Sequence, residues 1–249
     1  MMTESLTRRV LAALRVVDGV TGQPILSPLS VSGAGTLWVR NRRGLYVLTG
    51  MPGLEAHQDA LMGPPATPAV GSMSVVVDVR DMGSTYLSRR QTIRLPRDPD
   101  PVHAGESGSV FRPIESRLYL SPSAPTSSAW AVIRATVVRE GTEQGLGGSL
   151  IRVLRASDGE VLARGISDGR GEALVAVPGI PVTTWEDAPG PVMGTEVDVQ
   201  VEVVCDPGGG EAPDPDQLEA NRATLPNRRT AMKLTSGRTV VRKLTVAIP

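Results

Sequence analysis

Several residue types that carry chemistry are scarce in this sequence of 249 residues. It has one cysteine, Cys205, so no internal disulfide can form and nothing indicates an oxidising compartment. The 26 basic and 26 acidic residues cancel, which argues against a nucleic-acid binder, because neutralising phosphates needs an excess of Lys and Arg. No apolar run approaches the roughly 18 residues of a membrane helix. The apolar run "VLAAL" near the start is too short for a secretory signal. We therefore expect no membrane insertion, and a protein that is cytoplasmic or released without a signal peptide as part of an assembly.

Histidine is also scarce, which limits the possible catalysis. His57 and His103 are the two histidines, and both lie in loop-like stretches with no nucleophile elbow nearby. One cysteine and two distant histidines cannot give a zinc-binding spacing. Pro215 interrupts the acidic stretch 206–219, and no EF-hand pattern follows it. "PGGGEAP" has no Gly-Lys-Ser/Thr to hold a phosphate. We expect exposed loop histidines, no metal, no cofactor and no enzyme activity.

Glycine, proline and β-branched residues are abundant instead. The chain has 27 Gly and 21 Pro, 40% hydrophobic residues and only 3% aromatic residues. Alternating valines, as in Val75, Val77 and Val79 or along 197–203, indicate half-buried strands. Many short strands joined by tight turns suit this composition better than long helices.

A pattern of strands and turns occurs twice. "RRGLYVLTGMPG" (42–53) parallels "GRGEALVAVPGIP" (169–181), and "ALRVVDGVTGQPI" (13–25) parallels "RATVVREGTEQGL" (134–146). Further on, "MSVVVDVRD" (73–81) parallels "EVDVQVEVVCD" (196–206), and "RRQTIRLP" (89–96) is matched with "VRKLTVAIP" (241–249). A chance alignment of valine-rich strands is the alternative, but four matches in one order favour a repeat. The offset grows before the last match, which predicts an insertion at 207–230 in the second copy.

The predicted architecture is all-β, with two tandem Ig-like or transthyretin-like antiparallel β-sandwiches. Residues 8–96 form the first sandwich and 130–249 the second. Between them, 97–129 is a Pro/Gly/Ser-rich connector that includes a short docked strand, because "VFRPIESRLYLSP" alternates apolar and polar residues. Gly44 and Gly171 are expected in tight turns before the matching strands.

The repeated segments resemble the carboxypeptidase regulatory-like, or transthyretin-like, β-sandwich repeat. The second copy carries the closer match, with Ser167-Asp168-Gly169 and Arg170-Gly171 at the position of the family's turn. The first copy departs from it, with Asn41 and Arg42 in place of the acidic residue. This resemblance implies a non-catalytic scaffold for adhesion, folding support or docking. The Tyr-Arg-Gly-Ser tail of transthyretin-like hydrolases is absent. More weakly, the bridge "FRPIESRLYLSPSAP" resembles joints in two-domain proteins of phage-tail-like contractile injection systems.

Charge is segregated in the second copy. Ten acids and no base lie between Glu186 and Glu219, whereas seven bases and no acid lie from Arg222 onwards. Two interpretations stay open: adjacent strands pair these charges, or complementary patches dock other proteins, including a second copy head to tail. The candidate partner-contact residues are Arg40, Arg42, Arg43, Trp185, Arg222, Arg228 and Arg229.

The predicted function is that of a structural or interaction protein, a docking or accessory component of a larger assembly, for which a phage-tail-like one is a candidate. Its contact loops would be 54–70 and the insertion 207–230, which is expected to be disordered alone. The alternative is a carbohydrate- or surface-binding adhesion module that uses Trp185 as a stacking platform. Trp38 and Trp130 lie in strand-like runs and are expected in the core.

Overall fold

The computed structural model describes residues 9–59, 65–181, 196–209 and 212–248. The chain divides into two compact units. Unit 1 comprises Met1–Val17, Gln23–Met82 and Arg90–Arg117, and unit 2 comprises Asp18–Gly22, Gly83–Arg89 and Leu118–Pro249. The division near residue 117 falls inside the segment predicted as a connector.

The described residues form fourteen strands and two short helices. The first seven strands are β1 (Ala12–Asp18), β2 (Ser30–Ser32), β3 (Leu37–Arg40), β4 (Tyr46–Gly50), β5 (Met73–Arg80), β6 (Arg89–Leu95) and β7 (Ile114–Leu118). The other seven are β8 (Ala131–Arg139), β9 (Leu150–Arg155), β10 (Val161–Ile166), β11 (Glu172–Val177), β12 (Glu196–Val204), β13 (Asn227–Thr235) and β14 (Thr239–Val246). Helix α1 is Glu55–Asp59, helix α2 is Pro215–Ala220, and a 3₁₀ turn covers Pro101–His103.

Alternating valines place one face of each strand in the core. In β5, Val75, Val77 and Val79 are buried, while Ser74, Val76 and Arg80 between and after them are exposed. A branched side chain fits the pleated surface, so each buried valine stabilises both the strand and its packing. The period of two predicted from the sequence is therefore the period of burial.

The core of unit 2 lies between two sheets. One sheet has the order β10-β9-β12-β13 and the other β11-β8-β14. A single apolar cluster includes Ile151 and Val201 of the first sheet together with Ile133, Val175 and Leu244 of the second. The predicted all-β sandwich class is confirmed, although β14 joins β8 in parallel rather than antiparallel.

The two units share a strand order, with one exception. Unit 1 has sheets β3-β4-β1-β7 and β2-β5-β6. Replacing each strand by the one seven places later gives β10-β11-β8-β14 and β9-β12-β13, which differs from unit 2 only in the position of β10. The third strand of unit 1 pairs with the fourth strand, whereas the third strand of unit 2 pairs with the second.

The shared glycine turns have a steric reason. Gly44 and Gly171 adopt φ of +79° and +85°, a region that side chains disfavour. A Cβ on Gly171 would lie 2.4 Å from the carbonyl oxygen of Val137, so β8 can approach this turn only if the residue is glycine. Both glycines precede an inward-facing strand, β4 and β11 respectively.

The expected match of the closing strands is wrong. By strand order, β6 corresponds to β13 and not to the last strand β14, whose counterpart is β7. Pro249 follows β14 as Pro96 follows β6, whereas β13 has its proline, Pro226, before it, so the sequence pattern favoured the wrong strand. The short strand expected in the connector is β7, beside β1.

Candidate functional site

The side chains of the third strand are largely exposed in unit 1 and buried or half-buried in unit 2. In β3, Leu37 is 60% exposed and Val39 is 53% exposed, and β3 is the terminal strand of its sheet. Its counterpart β10 is also a terminal strand, but it has no exposed residue. An uncovered edge strand presents unpaired backbone groups, and natural proteins normally protect such edges. The edge of β3 is therefore the first candidate for a contact surface.

A rigid turn presents two arginines next to this edge. The Asn41 side-chain oxygen accepts hydrogen bonds from the backbone N–H groups of Arg43 and Leu45, both at 2.9 Å. The Asn41 N–H donates to the Leu45 carbonyl at 2.8 Å, and Gly44 supplies the left-handed conformation. Arg42 and Arg43 are exposed, and neither forms an ion pair with any described residue. The turn holds both backbones in place and leaves both guanidinium groups available.

Arg40, the third predicted arginine of this region, is held against the protein. Its guanidinium donates to the Leu26 carbonyl and lies 6.0 Å from the centre of the Tyr46 ring. Tyr46 is fixed in turn, since its hydroxyl accepts from the Leu29 N–H at 2.7 Å and donates to the Leu29 carbonyl at 3.0 Å. Arg40 therefore contributes charge at a fixed place beside Arg42 and Arg43. We call β3 and the turn 41–44 the β3 surface.

The three predicted arginines of unit 2 lie apart from the β3 residues in the chain, and each has a partner. Arg228 pairs with Glu140 at 2.9 Å, and Arg229 pairs with Glu202 at 2.7 Å. The guanidinium of Arg222 donates to the carbonyl of Glu219 at 3.0 Å. These cations are engaged within unit 2.

A network of arginines and acids joins the sheet of unit 2 to helix α2. Arg152 and Glu202 are both buried and form a close ion pair. Arg152 Nε also lies 3.1 Å from a Glu219 oxygen, in a geometry that makes an ion pair but no hydrogen bond. Arg164 of β10 donates two hydrogen bonds to the same Glu219, at 2.7 and 2.9 Å. These hydrogen bonds fix helix α2 beside strand β10.

The pKa values of the two glutamates follow from this pairing. Burial alone would raise the pKa of Glu202, but hydrogen bonds from Arg229 and Arg152 outweigh it and hold the pKa below its ordinary value. Burial would likewise raise the pKa of Glu219, but the hydrogen bonds from Arg164 and the charges of Arg164, Arg152 and Arg222 together lower it. Both groups are therefore ionised at neutral pH, as the pairing requires.

Helix α2 lies within the predicted insertion, where disorder was expected. Asp214 caps its start by accepting from the N–H groups of Asp216 and Gln217, and the buried Arg89 contacts Asp214 and Asp216 at 3.5 and 2.7 Å. Leu218 packs into a buried cluster that includes Tyr119, Leu150, Ile166 and Val204. The insertion from 212 to 230 is ordered because it has both apolar and charged anchors.

Of the two interpretations of the charge segregation, internal pairing describes these strands. β12 and β13 are antiparallel neighbours, with Glu202 opposite Arg229 and Glu196 near Lys233 at 3.0 Å. Opposite charges across a strand pair attract each other. The second-copy acids and bases are used at least in part for cohesion of unit 2.

Some predicted contact residues lie outside the described residues. These are Trp185, Glu186 and Asp187, together with residues 60–64 of the predicted contact loop 54–70. The start of that loop, at 55–59, is helix α1. Trp38 and Trp130 are partly buried, and Trp130 packs against the cluster around Leu174.

Of the two histidines and the cysteine, only His57 departs from the expected surroundings. His57 is partly buried in α1, so the expectation of an exposed loop is wrong for it. His103 lies in the 3₁₀ turn, 2.7 Å from Asp98, and that hydrogen bond raises its pKa, with a further contribution from Glu106. Cys205 is buried, which raises the pKa of its thiol.

Two classes of site receive no support from the part of the chain that is described. Within it, no group of three or more His, Cys, Asp or Glu side chains is placed to hold a metal ion. Of the described helices, none is long and apolar enough to cross a membrane.

The sequence did not identify Leu37 and Val39 as surface residues. The run "LWV" has the composition of a buried strand, and its exposure depends on which strand lies beside it. Their position next to Arg40, Arg42 and Arg43 was a usable signal, because an apolar strand leading into a basic turn indicates an amphipathic contact.

No family model matches the sequence, and no curated protein matches it. Among solved structures, 96% of the chain aligns with 34% of the Bacillus anthracis TIE protein, at 10% identity and a TM-score of 0.31. It also aligns over 97% of its length with 60% of BcpA, the major pilin subunit of Bacillus cereus, at 8% identity and a TM-score of 0.28. With the shaft pilin SpaA from Lactobacillus rhamnosus GG, 97% of the chain aligns with 98% of the pilin, at 12% identity and a TM-score of 0.24. The chain therefore spans about a third of the first protein and 60% of the second. Similarity at this level does not establish a shared fold.

Proposed function

We propose that this chain is a non-catalytic interaction protein that docks into a larger protein assembly through the β3 surface. The observation that carries the proposal is the contrast between the largely exposed side chains of β3 and the buried or half-buried side chains of β10. Both strands are terminal in their sheets, but only β3 also presents exposed apolar side chains beside its edge. The edge of β3 is the place where another chain can add a strand.

The partner segment is defined by the chemistry of this surface. An added strand would hydrogen-bond to the free edge of β3, as in recognition by β-augmentation. Leu37 and Val39 offer apolar contacts, and Arg42 and Arg43 offer charges with no carboxylate partner among the described residues. The matching segment is extended, apolar at alternate positions and acidic near the turn 41–44. Opposite charges of this kind fix register and accelerate association.

Site-specific photo-crosslinking in the cells that produce the chain tests this proposal. A photo-crosslinking amino acid in place of Val39 should give a discrete product with one or a few proteins. The same amino acid in place of Val102, which is 85% exposed in the 3₁₀ turn, is the matched control and should not give that product. The mass of the product also tells whether the partner is another protein or a second copy of this chain.

Charge reversal makes the crosslinking result specific. Arg42→Glu combined with Arg43→Glu should abolish the Val39 product, because like charges then face the acidic partner. Arg94→Glu changes another exposed arginine of unit 1, on β6, and should leave the product intact. Equal crosslinking from positions 39 and 102, or a product that survives the double reversal, would contradict the proposal.

The finer predictions from the sequence belong to this proposal as well. They are the carboxypeptidase regulatory-like or transthyretin-like resemblance, a phage-tail-like assembly, and a cytoplasmic location or release without a signal peptide. Genes for tail-tube, sheath or baseplate proteins next to this one would support the assembly. Neighbours that are all biosynthetic enzymes would count against it.

The alternative of carbohydrate binding through Trp185 has no supporting observation, because Trp185 lies outside the described residues. It keeps a simple test, in which tryptophan fluorescence is titrated with glycans for the unmodified protein and for Trp185→Ala. A saturable change that is lost in the variant would favour it over protein docking.

A further inference from the structure

Unit 1 contains a cavity that the docking proposal does not use. Its volume is about 470 Å³, within the range of small-molecule sites. Its walls are largely apolar, with proline and aliphatic side chains and one aromatic, Phe111, which is 56% exposed. The polar residues that line it are Arg9, His57 and Arg97, and no carboxylate among the described residues lines it.

Arg97 is a partly buried cation without a counter-charge in the part of the chain that is described. One of its terminal nitrogens donates to the carbonyls of Ser109 and Arg112, at 2.9 and 3.1 Å. Its Nε is buried and has no hydrogen-bond partner, and Arg97 forms no ion pair with any described residue. Burial lowers the pKa of Arg97, which is the mark of a charge that lacks compensation. The adjacent Asp98 is occupied with His103.

His57 adds a second unexplained feature at the same cavity. Both of its ring nitrogens are buried without a hydrogen-bond partner among the described residues. Buried polar atoms are nearly always satisfied in native proteins, so unpaired ones need a reason such as a ligand. Here three such atoms belong to two side chains that line one cavity.

We propose that this cavity binds a small apolar carboxylate, with Arg97 and Arg9 facing the acid group and Phe111 and the prolines enclosing the apolar body. The anion would supply the missing counter-charge, and hydrogen bonds to a charged group are stronger than those between neutral groups. The apolar walls exclude a highly polar anion such as inorganic phosphate, because they would leave most of its oxygens unsatisfied. The site is separate from the β3 surface, so it can fail while the docking proposal stands.

Three probes of one shape but different charge test the ligand class. They are biphenylcarboxylate, biphenylmethanol and biphenylmethylamine, each titrated into the full chain by calorimetry and by ligand-observed NMR. We expect the carboxylate to bind about tenfold or more tightly than the alcohol, since charged hydrogen bonds contribute about 1.5–3 kcal/mol. The amine should not bind measurably. Equal affinity for acid and alcohol, or binding by none of the three, would overturn the proposal.

Variants locate the probe in the cavity. Phe111→Ala and Arg9→Gln should each weaken carboxylate binding several-fold. Phe111 is exposed and Arg9 has no described partner, so both variants should fold. Arg97→Gln should reduce binding most, and Arg97→Lys should recover part of it by restoring the charge.

Arg94→Gln is the control, because Arg94 is exposed on β6 and does not line the cavity. If carboxylate binding is unchanged in both Phe111→Ala and Arg9→Gln, the probe binds elsewhere and the proposal is wrong, whether or not Arg97→Gln folds. If binding falls in both and not in Arg94→Gln, the proposal is supported. Crosslinking at position 39 should be the same in all of these variants.

Discussion

The two units place the same third strand in opposite circumstances. In unit 2, β10 pairs with β9, and Arg164 on it is held by Glu219 of helix α2. In unit 1, β3 pairs with β4 and has no helix fixed to it by ion pairs among the described residues. The third strand is thus terminal in both units although it pairs with different neighbours, and only in unit 1 are its side chains largely exposed.

The two units also differ in whether certain arginines are paired with carboxylates. The arginines of the unit 2 network point to carboxylates of the same unit, whereas Arg42, Arg43 and Arg97 of unit 1 have no carboxylate partner among the described residues. Unit 1 also has ion pairs, Arg90 with Asp78 and Arg117 with Glu115, so the contrast concerns these arginines and not every charge of the unit. The buried pairs of unit 2 contribute to its cohesion, whereas Arg42, Arg43 and Arg97 are the cations on which the two proposals rest.

The largest expected effect tests the cohesion of unit 2. Glu202→Gln removes the charge that compensates Arg152 and Arg229, and Arg152 is buried. We expect the free energy of unfolding to fall by about 3 kcal/mol, as for other broken buried pairs, measured by denaturant titration. Glu196→Gln breaks the exposed pair with Lys233 and is the control, with no measurable loss expected.

Lowering the pH gives a second test of the ion pairs of Glu202. Because the folded-state pKa of Glu202 lies below its ordinary value of 4.5, its stabilisation is complete above that pH and disappears as the pH falls through the folded-state pKa. The loss of stability on acidification should therefore be smaller in Glu202→Gln. An equal loss in both proteins would contradict the role assigned to this pair.

The next effect concerns the helix that accompanies β10. Leu218→Ala should lower the free energy of unfolding by about 2–3 kcal/mol, because it leaves a cavity in a buried cluster. It should also speed hydrogen exchange of the amides in Pro215–Ala220. The exposed Leu37→Ala is the matched control in unit 1, and its stability should not change. A loss of equal size in both variants would break the comparison.

A smaller effect is expected for the arginines of the β3 surface. The combined Arg42→Glu and Arg43→Glu variant should change the free energy of unfolding by less than about 0.5 kcal/mol, since both side chains are exposed and unpaired among the described residues. Thermal and denaturant unfolding check this. A large loss would mean that these arginines serve the fold, as those of unit 2 do.

The smallest expected effect is a raised pKa of His103 in unit 1. The hydrogen bond to Asp98 and the charge of Glu106 raise the pKa of His103, so its NMR titration should have a midpoint above the ordinary value of 6.5. Its stabilisation is complete below that value and is lost as the pH rises through the folded-state pKa. In Asp98→Asn the midpoint should fall. A midpoint that does not move would show that Asp98 is not the cause.

The sequence predicted the strands better than their neighbours. Alternating valines such as Val77 and Val201 identified buried strands, because burial on one face leaves a period of two. Helix α2 has a readable start, with Asp214 as the cap and Pro215 in the first turn, but the sequence predicts disorder for the insertion 207–230 that contains it. The ordering of that segment depends on Arg89 and Arg152, which are far away in the chain. No local pattern indicates such partners.

The position of the third strand was equally hidden. Trp38 and Val39 in β3 and Leu162 and Ala163 in β10 are all apolar, and neither run tells which sheet its strand joins. Pairing with the fourth strand or the second is decided by long-range packing. The consequence, a terminal strand with exposed apolar side chains in unit 1, becomes visible only when the sheets are compared.

Hydrogen exchange at β3 tests the docking role most directly. The amides of Leu37–Arg40 that do not bond to β4 should exchange quickly in the isolated chain and become protected when the chain is recovered in its assembly, while those of Val161–Ile166 in β10 stay the same in both. If the β3 amides remain unprotected in the assembly and another surface becomes protected instead, the β3 surface is not where this protein docks.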